Sequence, residues 1–420
     1  MHRIAPLLVL ALGLHAVPAS AGDWLGWRGP TGNGIAAPDE KPVLAWSDAT
    51  HVVWKTPVPG RGHSSPIAVG DLIVLTTADE TAQIQSVIAF DRQSGEQRWR
   101  SDLHTGGFVT EIHRKNSQAT PSPCSDGERI YAAFLNGGRI HLSALDLKGA
   151  KIWTRDTGPY LCRYGFGYAP SPVLAGDVVL VSSEFEKEGY LAAFDRLTGE
   201  ERWRVPRNGT TSYSTPALAR KVAGRDQIVI SGNKRLESYD PATGRQNWAA
   251  EAVTLATCGT AVWEGDIVFA SGGFPNKETA AVRADGSGTV LWKNDVKCYE
   301  QSMLVHEGHL YAIDDGGIAH CWDAKTGEEK WKTRLGGPVS ASPILAGGHL
   351  YFTNERGITY VVKADPEQFQ LVAENTLGNE AFASLIACGQ RVFARVAVNQ
   401  GNDRQEWLYC LGDTGSASAP

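Results

Sequence analysis

One phrase recurs through this 420-residue chain. AFDRQSGEQRW ends at Trp99, AFDRLTGEERW at Trp203, DPATGRQNW at Trp248 and DAKTGEEKW at Trp331. Looser copies, DLKGAKIW and DGSGTVLW, end at Trp153 and Trp292. In all six a Gly stands four residues before the Trp, and an Asp opens the turn seven or eight residues before it. The intervals between the tryptophans are 54, 50, 45, 44 and 39 residues. A period near 45 with β-type punctuation predicts propeller blades of four strands each.

The residue types fit that unit. Asp hydrogen-bonds nearby backbone N–H groups in the turn, and Gly accepts positive φ. The residues before the Asp form the third strand, those after the Gly form the outer fourth, and Trp fills the gap between blades. Upstream of each phrase lies a second hairpin, as in SPIAVGDLIVLTT, SPVLAGDVVLVSS and SMLVHEGHLYAID, which marks strands one and two. SPILAGGHLYFTN opens a seventh blade and SLIACGQRVFARV an eighth, both without the Trp. The eighth supplies three strands, and HVVWKTP near the N-terminus is the candidate fourth, with Trp54 in the docking position. The expected fold is all-β: one closed eight-bladed propeller of four-stranded antiparallel blades with terminal strand exchange, or seven blades if the closure differs. Its docking residues are Trp54, Trp99, Trp153, Trp203, Trp248, Trp292 and Trp331. The expected segments are a signal peptide (1–21), an N-terminal arm (22–45), the propeller (46–413) and a loose tail (414–420).

The start of the chain reads as a secretory leader. Arg3, the apolar run Leu7–Leu14 and Ala19-Ser20-Ala21 give the three parts of a cleavable signal peptide. No Cys follows the expected cleavage point, so a lipid anchor is not predicted. The expectation is a soluble, exported, periplasmic or secreted protein. A net charge of −6 without basic runs argues against nucleic acid and anionic lipid as partners. The seven cysteines are scattered and lack CxxC spacing, which predicts buried thiols and no metal site. Cys258 with Cys298 is the pair to examine for a disulfide.

The repeats resemble the PQQ-type repeats of the quinoprotein-like propeller superfamily, which includes quinoprotein alcohol dehydrogenases and BamB, the outer-membrane protein assembly lipoprotein. WLGWRGPTGNG, Trp24 to Gly34, is similar to an N-terminal segment of exported BamB-like propellers common in planctomycetes. The resemblance covers nearly the whole mature chain, but its motif residues dock blades and touch no cofactor. It implies a non-catalytic scaffold that binds a protein partner in the cell envelope, as BamB binds the outer-membrane assembly barrel, acting as a monomer without membrane insertion. The alternative is a PQQ-dependent dehydrogenase using Ca²⁺, or a receptor for a sugar-like ligand. The dehydrogenase reading lacks the vicinal Cys-Cys pair of many quinoproteins, and the length leaves little room for pocket-building insertions.

No catalytic residue is assigned. HEGH (His306–His309) and DDGG (Asp314–Gly317) fall at expected hairpin turns, and Trp263 in WEGD is expected to cap a turn. The residues before each first strand should line the central channel, where polarity has no packing purpose. His63, His113, Lys115, Asn116, Arg163, Tyr164, Tyr213 and Glu300 are therefore the candidate channel-mouth ligand site.

Overall fold

The computed structural model describes residues 22–414 apart from 163, 186, 208, 210, 211 and 402. The expected signal peptide, the end of the tail and Arg163 lie outside the described residues. The described chain forms eight four-stranded antiparallel sheets. Blades one to seven run in sequence order over 67–105, 124–159, 173–206, 217–251, 262–294, 304–334 and 344–376. The eighth takes three strands from 386–411 and its outer strand from Val52–Val58, which pairs with Asp403–Leu411. The ring therefore closes by strand exchange, which satisfies an edge that would otherwise stay open. Among the described residues no helix is long and apolar enough to cross a membrane.

The repeated Asp, Gly and Trp act together. In blade one, Asp91 Oδ1 accepts from the backbone N–H groups of Gln93 and Ser94 at 2.9 and 2.7 Å. Blade three repeats this at Asp195, with Leu197 and Thr198 both at 2.8 Å. The Trp of one blade lies over the turn glycine of the next: Trp54 over Gly95, Trp99 over Gly149, Trp203 over Gly244 and Trp292 over Gly327. The indole N–H then reaches a carbonyl of that turn, as from Trp99 to Leu147 at 2.9 Å and from Trp292 to Ala324 at 3.0 Å. The glycine thus serves twice, by its positive φ and by leaving room for an indole face. Trp248 departs from this pattern, because its N–H turns back to Gln227 Oε1 of its own blade at 2.7 Å.

At the axis each blade contributes one buried hydroxyl, from Ser65, Ser122, Ser171, Thr215, Thr260, Ser302, Ser342 and Ser384. Each stands just before an inner strand. The backbone N–H of one donates to the hydroxyl of the next over 2.8–3.0 Å at seven steps of the circle. At the remaining step, Thr260 Oγ1 accepts from the indole N–H of Trp27 at 2.8 Å.

Trp27 belongs to the arm, which crosses one end of the channel. Trp24 pairs with Ala68 of blade one, and Ile35 bridges to Leu345 of blade seven. Between them Arg28 is buried, donating to Pro343 O at 2.6 Å, Met303 O at 2.7 Å and Asn33 O at 2.9 Å. Trp263 does not cap a turn. It lies within the strand Val262–Glu264, where its backbone exchanges hydrogen bonds with the Asn33 amide at 2.8 and 3.1 Å and its ring lies beside Gly32. An aromatic at this inner position serves as the arm's seat, which the hairpin pattern alone could not reveal. All seven cysteines are free thiols, Cys258 and Cys298 included.

Candidate functional site

A pocket of about 210 Å³ occupies the channel on the side away from the arm. All eight connections leading into inner strands contribute to its lining, and Trp27 lines it from the arm. Trp27 also lines a second cavity, of about 280 Å³, formed by arm residues and by residues that follow the hydroxyl circle, such as Cys124 and Leu218. The indole and the hydroxyls therefore divide the channel in two and give the first pocket a floor.

Of the eight predicted residues, His63, His113, Lys115, Asn116, Tyr213 and Glu300 line this pocket. Tyr164 does not; it is half exposed, with its ring 6.4 Å from that of Phe166. Arg163 lies outside the described residues.

The polar centre is a lysine between two carboxylates. Lys115 Nζ lies 2.7 Å from Glu355 Oε1 and 3.2 Å from Glu300 Oε2. Ser340 Oγ lies within hydrogen-bond distance of both acids, 2.6 Å from Glu355 Oε1, and its one proton serves one of them at a time. Burial disfavours the charged ammonium, but hydrogen bonds and charge from Glu355 and Glu300 outweigh it and leave the Lys115 pKa above its ordinary value. The residue stays cationic at any physiological pH.

Two of the predicted side chains act on the loop that carries Lys115. His63 is buried, stacks on Phe382 with ring centroids 4.4 Å apart, and its Nδ1 lies 3.0 Å from Lys115 O. Because that carbonyl can only accept, Nδ1 carries the proton in the neutral ring. Burial first, then the Arg61, Arg395 and Arg404 cations, holds the His63 pKa well below 6.5, so the ring is neutral. Asn116 is likewise committed: its Nδ2 donates to Phe166 O, and its Oδ1 accepts from Ser117 N at 2.7 Å and from Thr120. Arg61 supports the same loop, donating to Arg114 O at 2.9 Å.

Aromatic rings make up much of the wall. Phe166 meets Tyr213 edge to face with centroids 6.0 Å apart, and His113 meets Phe166 at 5.3 Å. Tyr299 and Cys258 complete that side. Burial raises the Cys258 thiol pKa and favours its protonated form.

Sequence reasoning missed Trp27, Phe166, Tyr299, Ser340, Glu355 and Phe382. Glu355 had a usable signal in the repeat. Asp314 and Asn354 hold equivalent turns, accepting from Ile318 N at 2.8 Å and Ile358 N at 3.1 Å. The next residues, Asp315 and Glu355, both turn to the channel loops: Asp315 accepts from Tyr299 N at 2.8 Å, and Glu355 meets Lys115.

Eight blades with this Asp-Gly-Trp docking and this axial circle of hydroxyls define a PQQ-repeat β-propeller. The chain belongs to the family described as outer membrane protein assembly factor BamB, whose model matches residues 17–153, 136–287 and 275–376. It is 24% identical over 344 residues to the outer membrane protein assembly factor BamB of Burkholderia pseudomallei (strain K96243), covering 78% of this chain and 80% of that one. Among solved structures it is similar to BamB from Moraxella catarrhalis, with a TM-score of 0.61 and 15% identity over 85% of this chain and 99% of the other. It is similar also to a europium-containing methanol dehydrogenase, with a TM-score of 0.67 and 12% identity over 93% and 98% of the two chains.

That last likeness, at the level of fold alone, invites a comparison of the pocket with a quinone–metal centre. The described residues do not fit one. They hold no cluster of three or more His, Cys, Asp or Glu able to grip a metal ion. Where two carboxylates do approach each other, the Lys115 ammonium already lies between them. The pocket volume also falls below the ~300–1,000 Å³ typical of sites for larger ligands.

Proposed function

We propose that this protein is an exported scaffold of the cell envelope that binds a protein partner and catalyses no reaction. The observation that carries this reading is the family match, which runs in three overlapping stretches from residue 17 to residue 376. It is supported by a lysine that already lies between the best-placed pair of carboxylates. In this reading residues 1–21 direct export, the mature chain acts as a monomer, and blade edges and loops carry the contact. The partner belongs to outer-membrane protein assembly, by analogy with the named role of the relatives.

The test is cross-linking in intact cells that make the tagged chain, followed by fractionation and identification of adducts. An envelope location with a cross-linked component of outer-membrane protein assembly is expected. A chain that stays in the cytoplasm, or that turns over an alcohol with quinone and metal added, overturns the reading.

A further inference from the structure

We propose that the channel pocket is a binding site for a small, neutral, polyhydroxylated molecule the size of one sugar ring. The proposal does not depend on the scaffold reading, which places protein contacts on the outer loops and edges.

Size comes first. At about 210 Å³ the pocket holds roughly seven waters' worth of liquid. One hexose ring with its hydroxyls occupies comparable space, whereas a tricyclic quinone needs more.

The distribution of groups comes second. A hydroxyl both donates and accepts, so a polyol suits a surface that offers both roles side by side. Lys115 has three N–H donors, of which Glu355 and Glu300 engage two. Glu300 Oε1 has only a long 3.3 Å contact with that ammonium and keeps lone pairs for a ligand. The hydroxyls of Ser65, Ser122, Ser171 and Thr215 add further partners at the floor. The same lining carries Phe166, Tyr213, Tyr299 and Phe382, whose rings suit the apolar C–H face of a sugar.

Charge comes third. Among the described lining residues Glu300 is the one acid and Lys115 the one lysine, and His63 is neutral. That balance favours a neutral ligand over one rich in carboxylates. A simple cation is opposed by Lys115, which already occupies the space between the acids.

The test uses the mature chain, residues 22–420, and a panel of glucose, galactose, mannose and N-acetylglucosamine. Binding is followed by calorimetry and ligand-observed NMR up to about 10 mM, with PQQ and free lysine as charged comparators. Saturable binding of at least one neutral sugar is expected. Lys115→Met and Phe166→Ala should each weaken it at least about ten-fold. Phe166 is 43% exposed, so its truncation leaves the fold intact even if loss of Lys115 does not. No sugar binding, binding that neither substitution changes, or preferential saturation by PQQ or lysine overturns the proposal.

Discussion

The backbone N–H of Ser384 donates to Ser65 Oγ at 2.9 Å, joining the last blade to the first across 319 residues of sequence. Six further bonds of the same kind run round the axis, so ring closure repeats a contact already used between consecutive blades. Ser65→Ala leaves the buried Ser384 N–H without a partner. The expected loss is about 1–3 kcal/mol, read as a lower denaturant midpoint with unchanged secondary structure by circular dichroism.

The glycine under each docking indole gives a controlled comparison. A Cβ on Gly149 would lie 2.7 Å from the Trp99 ring, whereas one on Gly176 would meet nothing within 4 Å. Both have positive φ, 84° and 63°, so both alanine variants incur the left-handed cost of about 1 kcal/mol. Only Gly149→Ala adds a clash, expected to cost roughly a further 1–3 kcal/mol. Equal midpoints for the two variants would contradict the docking role.

Closure is also clamped by charge. Arg395 on blade eight donates to Glu406 Oε2 at 2.7 Å and reaches blade one at Thr76 O and Ser64 Oγ, at 2.8 and 2.9 Å. Both ionic partners are buried. Arg395→Met removes the cation and leaves Glu406 with Arg404, at 2.6 Å, and the Gly62 N–H, at 3.0 Å. A loss approaching the 3–5 kcal/mol range for a broken buried pair is expected, moderated by Arg404. Thermal melts of the variant should show it. Arg404→Met, at a more exposed position, should cost less.

His63 gives a pH signature. Its pKa in the folded chain lies well below the 6.5 of an exposed histidine, because burial and then Arg61, Arg395 and Arg404 disfavour the imidazolium. As pH falls through 6.5 the unfolded chain takes up a proton that the folded chain refuses. Stability is therefore full above that pH and declines below it. His63→Phe retains a ring against Phe382 and removes this titration. Between about pH 7 and pH 5 the wild type should lose more stability than the variant. His104, lowered to about 4 by burial, is present in both proteins and cancels in the difference. Parallel stability curves would mean that His63 takes up its proton in the folded state.

The blades were legible because the Asp, Gly and Trp of each repeat act locally, within a turn or on the next blade. The six predicted residues that line the pocket followed from a rule of position, that residues ahead of an inner strand face the axis. Function was less legible than position. His63 and Asn116 read as ligand groups, yet His63 Nδ1 and the Asn116 amide are used to hold the 113–118 loop. Trp27 could not be found this way, since its contact with Thr260 spans 233 residues and depends on the path of the arm. The serines opening the inner hairpins were in plain view, but their pairing exists only once blades stand side by side.

The exchanged strand also sets an order of events for a chain made from its N-terminus. Val52–Val58 emerges before any blade, but its hydrogen-bonding partner Asp403–Leu411 is the last strand to appear. The early segment must wait, unpaired, while seven complete blades are produced. An N-terminal fragment, however long, is therefore an open arc with two sticky ends, and the protein has no finished half.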